Sequence, residues 1–243
     1  MSITEKGIIG EIVAQDYRAA EVFKNHSIDF CCQGNRTIED ACVKHNIEPA
    51  VLVNELNDKL NAQAATGEPD YKSWPADLLA DYVEKKHHRY VEEKTPVIKQ
   101  YLEKIASVHG GRHPELHDIR DHFNASAGEL AKHMKKEELI LFPFVRKMVA
   151  SNGRGIEEPH FGSVQNPIQA MMAEHETEGD RFREIVKLSD NYTPPADGCN
   201  TYKVAFAMLK EFEEDLHLHI HLENNILFPQ AIAMEEKLMQ KQV

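Results

Sequence analysis

The sequence predicts an all-α protein, a four-helix bundle preceded by a small helical domain. Three observations carry that reading. Four long stretches, roughly 76–108, 114–150, 167–190 and 199–239, hold apolar residues at helical spacing with loops between them. No segment alternates apolar and polar residues as a strand would. Aromatic residues make up only 7% of the 243 residues while hydrophobic residues reach 42%, a balance that favours helices over a β-sandwich.

Taken in order, residues 8–25 read as one amphipathic helix, with Ile9, Ile12, Val13, Ala20 and Phe23 on one stripe. Thr37 reads as the N-cap of a second helix, TIEDACVKHN, and Glu48 to Ala62 as a third. The Gly, Pro and Asp of TGEPDYKSWP (66–75) mark a linker. The domains are therefore expected at 1–72, helical and carrying a vicinal Cys pair, and at 73–243, the bundle. GGRHP, ASNGRGIEEPHFGSVQNP and NYTPPADG separate the bundle helices. Pro96, Pro143 and Pro229 fall within or near the ends of these helices and are expected to kink or end them.

Composition excludes several classes. A net charge of −12 makes general nucleic-acid binding a poor fit, because phosphate neutralisation needs a basic face. No uncharged apolar run reaches the roughly 18 residues a membrane span needs. Glu5, Lys6, Glu11 and Asp16 interrupt the first twenty residues, which do not read as a secretory signal. Four Cys, two of them adjacent, form no disulfide framework, so a reducing, cytoplasmic setting is expected. The unusual count is His, at 14, which points to metal or proton chemistry.

A repeat locates the chemistry. The second long helix contains His133-MKK-Glu137-ELILFP and the fourth contains His219-IHL-Glu223-NNILFP. In both, the His precedes the Pro by ten positions and the Glu precedes it by six. Positions 133 and 219 are 86 apart, as are 137 and 223. His88 on the first helix has a counterpart in His175 on the third, 87 positions on. Composition alone would give roughly 1.6 His-x-x-x-Glu pairs by chance. Three occur, so the signal lies in the shared register and in the repeated lone His.

Residues four apart share a helix face. His133 and Glu137 share one with Leu130, Met134 and Leu141, and His219 and Glu223 share one with Leu216, Ile220 and Leu227. The His and Glu therefore point into the bundle, where an unpaired carboxylate costs several kcal/mol. Four imidazoles and two carboxylates suit two metal ions bridged by the carboxylates. Mixed N/O ligation with spare positions points to iron, with manganese or zinc as alternatives. Without metal, two carboxylates this close are expected to leave a proton on one of them. A Glu-x-x-His reading (Glu84/His87, Glu157/His160, Glu214/His217) competes weakly, because those sets do not repeat in register. His217 and His221 are expected on a face turned away from His219, in a solvated or supporting role. Cys42 and Cys199 have no sequence partner and read as structural.

These motifs give the chain a resemblance to the hemerythrin-type di-iron bundles and, more closely, to the family of di-iron proteins that repair iron–sulfur clusters. It covers nearly the whole chain and rests on DFCCQG, HMKKEELILFP, AEHETEG and HIHLENNILFP. The resemblance implies a hemerythrin-like four-helix bundle with a small N-terminal helical domain, holding two non-haem iron ions with oxo and carboxylate bridges. It implies His88, His133, Glu137, His175, His219 and Glu223 as ligands, with the adjacent His87 as the alternative first-helix ligand. It marks His109 and Glu174 as residues that accompany the centre, and gives Cys31 and Cys32 a redox or iron-handling role, as vicinal thiols permit. The implied function is repair of clusters damaged by oxidative or nitrosative stress, by supplying iron to damaged iron–sulfur proteins or a cluster scaffold protein. Reduction of nitric oxide to nitrous oxide, and reversible O2 or NO binding as a carrier or sensor, are the alternatives. A homodimer is compatible with the pattern.

Overall fold

The computed structural model describes residues 3–62, 69–154, 156, 157 and 159–240. Residues 63–68, which include the first three positions of the expected linker, lie outside the described residues, whereas the expected boundary at 72/73 lies within them. Among the described residues the chain is helical, with a single isolated bridge between Ile8 and Thr37 and no strand.

The N-terminal part holds α1 (Ile9–Gln15), α2 (Ala19–Asn25), α3 (Ile38–His45) and α4 (Pro49–Asn61). The expected helix over 8–25 is two helices. Asp16 is extended, and its carboxylate accepts the Arg18 backbone N–H at 3.1 Å and the Arg18 guanidinium at 2.6 Å. A side chain that binds backbone two residues on offers the chain a turn in place of a helix. Thr37 caps α3 as expected, accepting from the Asp40 N–H, and Asn46 ends it in a left-handed conformation.

Four long helical rods form the bundle. Three are interrupted by one π-helical turn each. The first runs from α5 (Ala76–Tyr82) through the π-turn Val83–His88 into α6 (Arg89–His109). The second runs from α7 (Glu115–Lys136) through Glu137–Leu141 into α8 (Phe142–Ala150), and the third is α9 (Gln165–Leu188) alone. The fourth runs from α10 (Asn200–Leu222) through Glu223–Leu227 into α11 (Phe228–Gln240). α6 packs on α7 and α10, and α7 packs on α9. Pro96 does not end α6. Pro143 and Pro229 are each the second residue after a π-turn. Proline lacks an N–H and crowds the carbonyl four residues earlier, and a widened turn just before it relieves both problems without breaking the rod.

Two apolar cores share the bundle. One includes Ile98, Phe123, Leu130, Met134, Phe182, Phe212 and Ile220 together with Ile9, Phe23 and Phe30 of the N-terminal part. The other includes Val83, Leu141, Phe142, Leu222, Leu227 and Phe228. The N-terminal helices are thus fused to the bundle by packing. Gly10 is needed there, because a Cβ would stand 2.3 Å from Asn225 Oδ1.

Candidate metal centre

The two cores meet at a polar layer. Along each rod the repeated residues fall between them: His88 between Val83 and Val91, Glu137 between Met134 and Leu141, His175 between Met171 and Phe182, Glu223 between Ile220 and Leu227. His88 closes its π-turn, while Glu137 and Glu223 open theirs. A π-turn re-aims the side chains around it, and such turns recur at functional sites.

The structure brings six sequence-picked residues together as two quartets, His88–Glu137–His219–Glu223 and His133–Glu137–His175–Glu223, with the ligand atoms of each within 4.8 Å of one another. Both carboxylates belong to both quartets. Glu137 Oε2 lies 3.3 Å from Nε2 of His88 and of His133. Glu223 Oε2 lies 3.2 Å from His175 Nε2, and its Oε1 lies 3.2 Å from His219 Nε2. His133 Nε2 and His175 Nε2 face each other at 3.0 Å. His87 is directed elsewhere, with Nδ1 3.0 Å from Asp215. The Glu-x-x-His pairs do not converge either: Glu84 binds Arg146 at 2.6 Å.

These residues fit cations. All six are buried, and both oxygens of Glu137, Oε2 of Glu223 and Nε2 of His88 have no hydrogen-bond partner. Buried polar atoms seldom stay unpartnered, and buried carboxylates need counter-charge. Metal-free, the layer finds that charge in protons. Burial disfavours a charged His133, but Glu137 and Glu174 outweigh it and hold its pKa up at about 10. His88 is raised against burial by Glu137 and Glu223. Burial and Glu223 push Glu137 up, yet His133 and His88 hold it low, and Glu223 is held well below the usual range by His219 and His175 despite its burial. The expectation of a protonated carboxylate is therefore corrected: the protons go to imidazoles, which the two acids surround.

The outer ring nitrogens complete the geometry. His133 Nδ1 lies 2.9 Å from Glu174 Oε2, His175 Nδ1 lies 2.9 Å from Asn224 Oδ1, and His88 Nδ1 lies 3.1 Å from Glu138 Oε1. An acceptor on Nδ1–H fixes the tautomer that leaves Nε2 free to bind metal. Glu174 thus supports His133 and also binds Lys136. The His133 ring, ahead of the cost of burial, and Lys136 hold its pKa at about 2. Glu138 and Asn224 were missed from sequence, yet a signal existed: they are 86 positions apart, the same repeat offset, one residue after each shared Glu.

Comparison with known proteins places the chain in a family. The hemerythrin HHE cation-binding domain model matches residues 80–231. The chain belongs to the hemerythrin HHE family. The ScdA N-terminal model, described as a domain of unknown function, matches residues 5–60 of this family member. It is 35% identical to the iron–sulfur cluster repair protein YtfE of Musicola paradisiaca (strain Ech703), over 97% of this chain and 100% of the relative. It is 30% identical to the iron–sulfur cluster repair protein ScdA of Staphylococcus haemolyticus (strain JCSC1435), over 93% and 98%. To YtfE of Yersinia pseudotuberculosis (strain YPIII) it is 33% identical, over 93% and 97%.

On this hemerythrin-type bundle the Cys loop is not remote from the centre. Asp29 Oδ1 accepts from the backbone N–H of Cys31 and Cys32 at 3.0 and 2.9 Å, turning the loop so that the two sulfurs lie 3.6 Å apart. Cys32 Sγ donates to the carbonyl of His175 at 3.2 Å, and Asn224 Nδ2 donates to the Cys31 carbonyl at 3.2 Å. Gly179 permits this approach, since a Cβ would be 3.0 Å from Cys32 Sγ. The Cys32 thiol and burial push the Cys31 thiol well up. The Cys32 thiol touches the backbone of α9, and neither thiol enters the His–Glu cluster.

Three expectations are corrected. His109 does not join the centre. It ends α6, about 31 Å along the rod from His88 at 1.5 Å per residue, and its Nε2 lies 3.2 Å from Cys199 Sγ. Cys199 is accordingly not an unpartnered structural residue but an exposed thiol at the start of α10. The Tyr202 backbone N–H and His109 hold its pKa down to about 7. His217 and His221 do face away from His219, but His221 is fully buried and both rings pack against Phe30, 6.0 and 6.2 Å away. Burial pushes their pKa values down to about 4 and about 3. Among the described residues no helix is long and apolar enough to cross a membrane.

Proposed function

We propose that this chain repairs iron–sulfur clusters damaged by oxidative or nitrosative stress, holding two iron ions in the polar layer and supplying iron to damaged iron–sulfur proteins or a cluster scaffold. The observation that carries the metal reading is the pair of His2Glu2 quartets sharing two buried carboxylates, three of whose four oxygens lack a hydrogen-bond partner. The relatives' names give the activity its direction. His88 and His219 would hold one ion and His133 and His175 the other, with Glu137 and Glu223 available to both. Bound iron would supply a redox couple and exchangeable ferrous ion. The protein's own part is to hold the imidazoles through Glu138, Glu174 and Asn224, and to bury the layer between two cores. Release follows protonation of the same nitrogens, since imidazole binds metal only when deprotonated. Cys31 and Cys32 lie against the His175 backbone and take an iron-handling or redox role. Their unbonded thiols suit a reducing compartment such as the cytoplasm.

A second reading, binding or reduction of nitric oxide or binding of O2, is favoured by one observation. A small cavity of about 310 Å3 reaches His133 and His175 from outside, between Glu129, Glu174 and Arg181. One anaerobic experiment separates the two readings. The reduced protein, loaded with 57Fe, is mixed with a cluster protein stripped of one iron, and separately with nitric oxide. Label in the restored cluster supports iron supply. Nitrous oxide without label transfer supports the second reading.

A further inference from the structure

We propose that the two metal positions are unequal and that the ion held by His88 and His219 is the more weakly bound. The inference rests on the reading of the two quartets as a two-ion centre and adds which ion is exchangeable. The two quartets share their carboxylates, so any difference lies in the imidazoles and in what holds them. At one position both outer nitrogens have acceptors, Glu174 for His133 and Asn224 for His175, each at 2.9 Å. At the other, His88 has Glu138 at 3.1 Å, but His219 Nδ1 is buried without a hydrogen-bond partner.

The gap is written in the sequence. Position 174 precedes the third-helix His by one. The equivalent position before His88 carries His87 where the other half carries an acid. The His87 ring stacks on His219 at 5.6 Å with an interplanar angle of 17° and turns its own Nδ1 to Asp215. His87 thus occupies the place from which an acid would hold His219. Glu138 is also the more heavily shared acceptor, binding both Arg89 and Lys135. Loss of one outer partner of a metal-bound imidazole costs 10–100-fold in metal affinity. The two positions should differ by about that factor. His87 also lines a cleft of about 870 Å3, together with Tyr17, Lys24 and Asp215, between the N-terminal helices and the bundle. The His133/His175 position has its own smaller opening, so the claim concerns affinity and not access.

The test uses the full-length protein, stripped of metal and given one equivalent of Mn(II) without oxygen. Crystals measured at the manganese edge should show anomalous density at the His133/His175 position exceeding that at the other by roughly three- to tenfold, the square root of the affinity ratio when one equivalent is shared between two independent positions. Equal densities, or the reverse order, would overturn the inequality. Absence of manganese from both positions would instead refute the two-ion reading on which it rests. Chelator competition gives an independent readout. Wild type should show two dissociation constants, and Glu174→Leu, at a half-exposed position, should bring them together by weakening the tighter step. His87→Glu should bring them together by strengthening the weaker one. A gap that Glu174→Leu leaves unchanged sinks the proposal even if His87→Glu fails to fold.

Discussion

Raising the pH should destabilise the metal-free protein while leaving the loaded protein level. Without metal, the charge of Glu137 and Glu223 is balanced by protons on His133, held at about 10, and on His88, also raised. A histidine whose folded pKa exceeds its unfolded value of 6.5 gives stability that is complete below pH 6.5. That stability is lost as pH rises through the folded value. Each unit of the window is worth 1.36 kcal/mol, so His133 alone should cost the metal-free protein about 2 kcal/mol between pH 6.5 and 8. His88 acts in the same direction. The lowered Glu137, Glu223 and His219 contribute stability lost only at lower pH, so they are silent in this window. Metal displaces the His133 proton, so its apparent affinity should rise about tenfold per pH unit for that proton. The assay is urea unfolding of stripped and Mn(II)-loaded protein at pH 6.5, 7.2 and 8.0 at fixed free metal. Calorimetry of metal binding in buffers of different ionisation enthalpy counts the released protons. A metal-induced stability gain that is flat or shrinks with pH, or no net proton release at pH 8, would refute the proton-for-metal account.

Other predictions are simpler. His133→Ala or His219→Ala should lose at least one of two ions per chain by metal analysis, whereas His113→Ala or His117→Ala should lose none; equal metal content in all four would end the ligand assignment. Cys31→Ala with Cys32→Ala should keep the metal, because the Cys32 thiol reaches the His175 backbone and not its ring while the Cys31 thiol meets only Asp29 and Cys32, but should lower iron transfer to a damaged cluster; loss of metal in the double variant would contradict this. Burial holds Glu213 up at about 7, a raised carboxylate whose stability contribution is present below pH 4.5 and lost as pH rises to 7. Glu213→Gln should therefore exceed wild type by up to about 3 kcal/mol above pH 7, with no difference near pH 4.5. Denaturation curves that run parallel across that range would show that Glu213 is not so perturbed.

Much of the site was legible because a duplicated pattern repeats its function. His133, Glu137, His219 and Glu223 share one register, and His88 and His175 repeat within one residue of it. The helical stretches were legible from period alone, within two or three residues at their ends. The π-turns were not, because a hydrogen bond to the fifth residue in place of the fourth leaves no mark in composition; only Pro143 and Pro229 hinted at them. Glu138 and Asn224 stood in the register but differ in type, which hid them. His109 misled because its partner, Cys199, is 90 residues away in the chain. The burial of His221 and the partial cover of His217 depend on Phe30 docking from another part of the chain, which helix periodicity cannot anticipate. The break at Asp16 came from a side chain competing with the backbone, a local contest that the apolar stripe concealed.

The contacts of Asn224 have one more consequence. Its carbonyl oxygen holds a metal-layer imidazole, and its amide holds the Cys loop. One side chain thus reports to two places at once. Whatever free energy the docked loop lends to metal binding, metal binding must return to docking, because linkage between two binding events is reciprocal. A client that lifts the loop to reach the thiols would loosen the ion by the same factor. Delivery could then be triggered by the recipient itself, with no separate signal, and an empty protein would hold its loop less tightly than a full one.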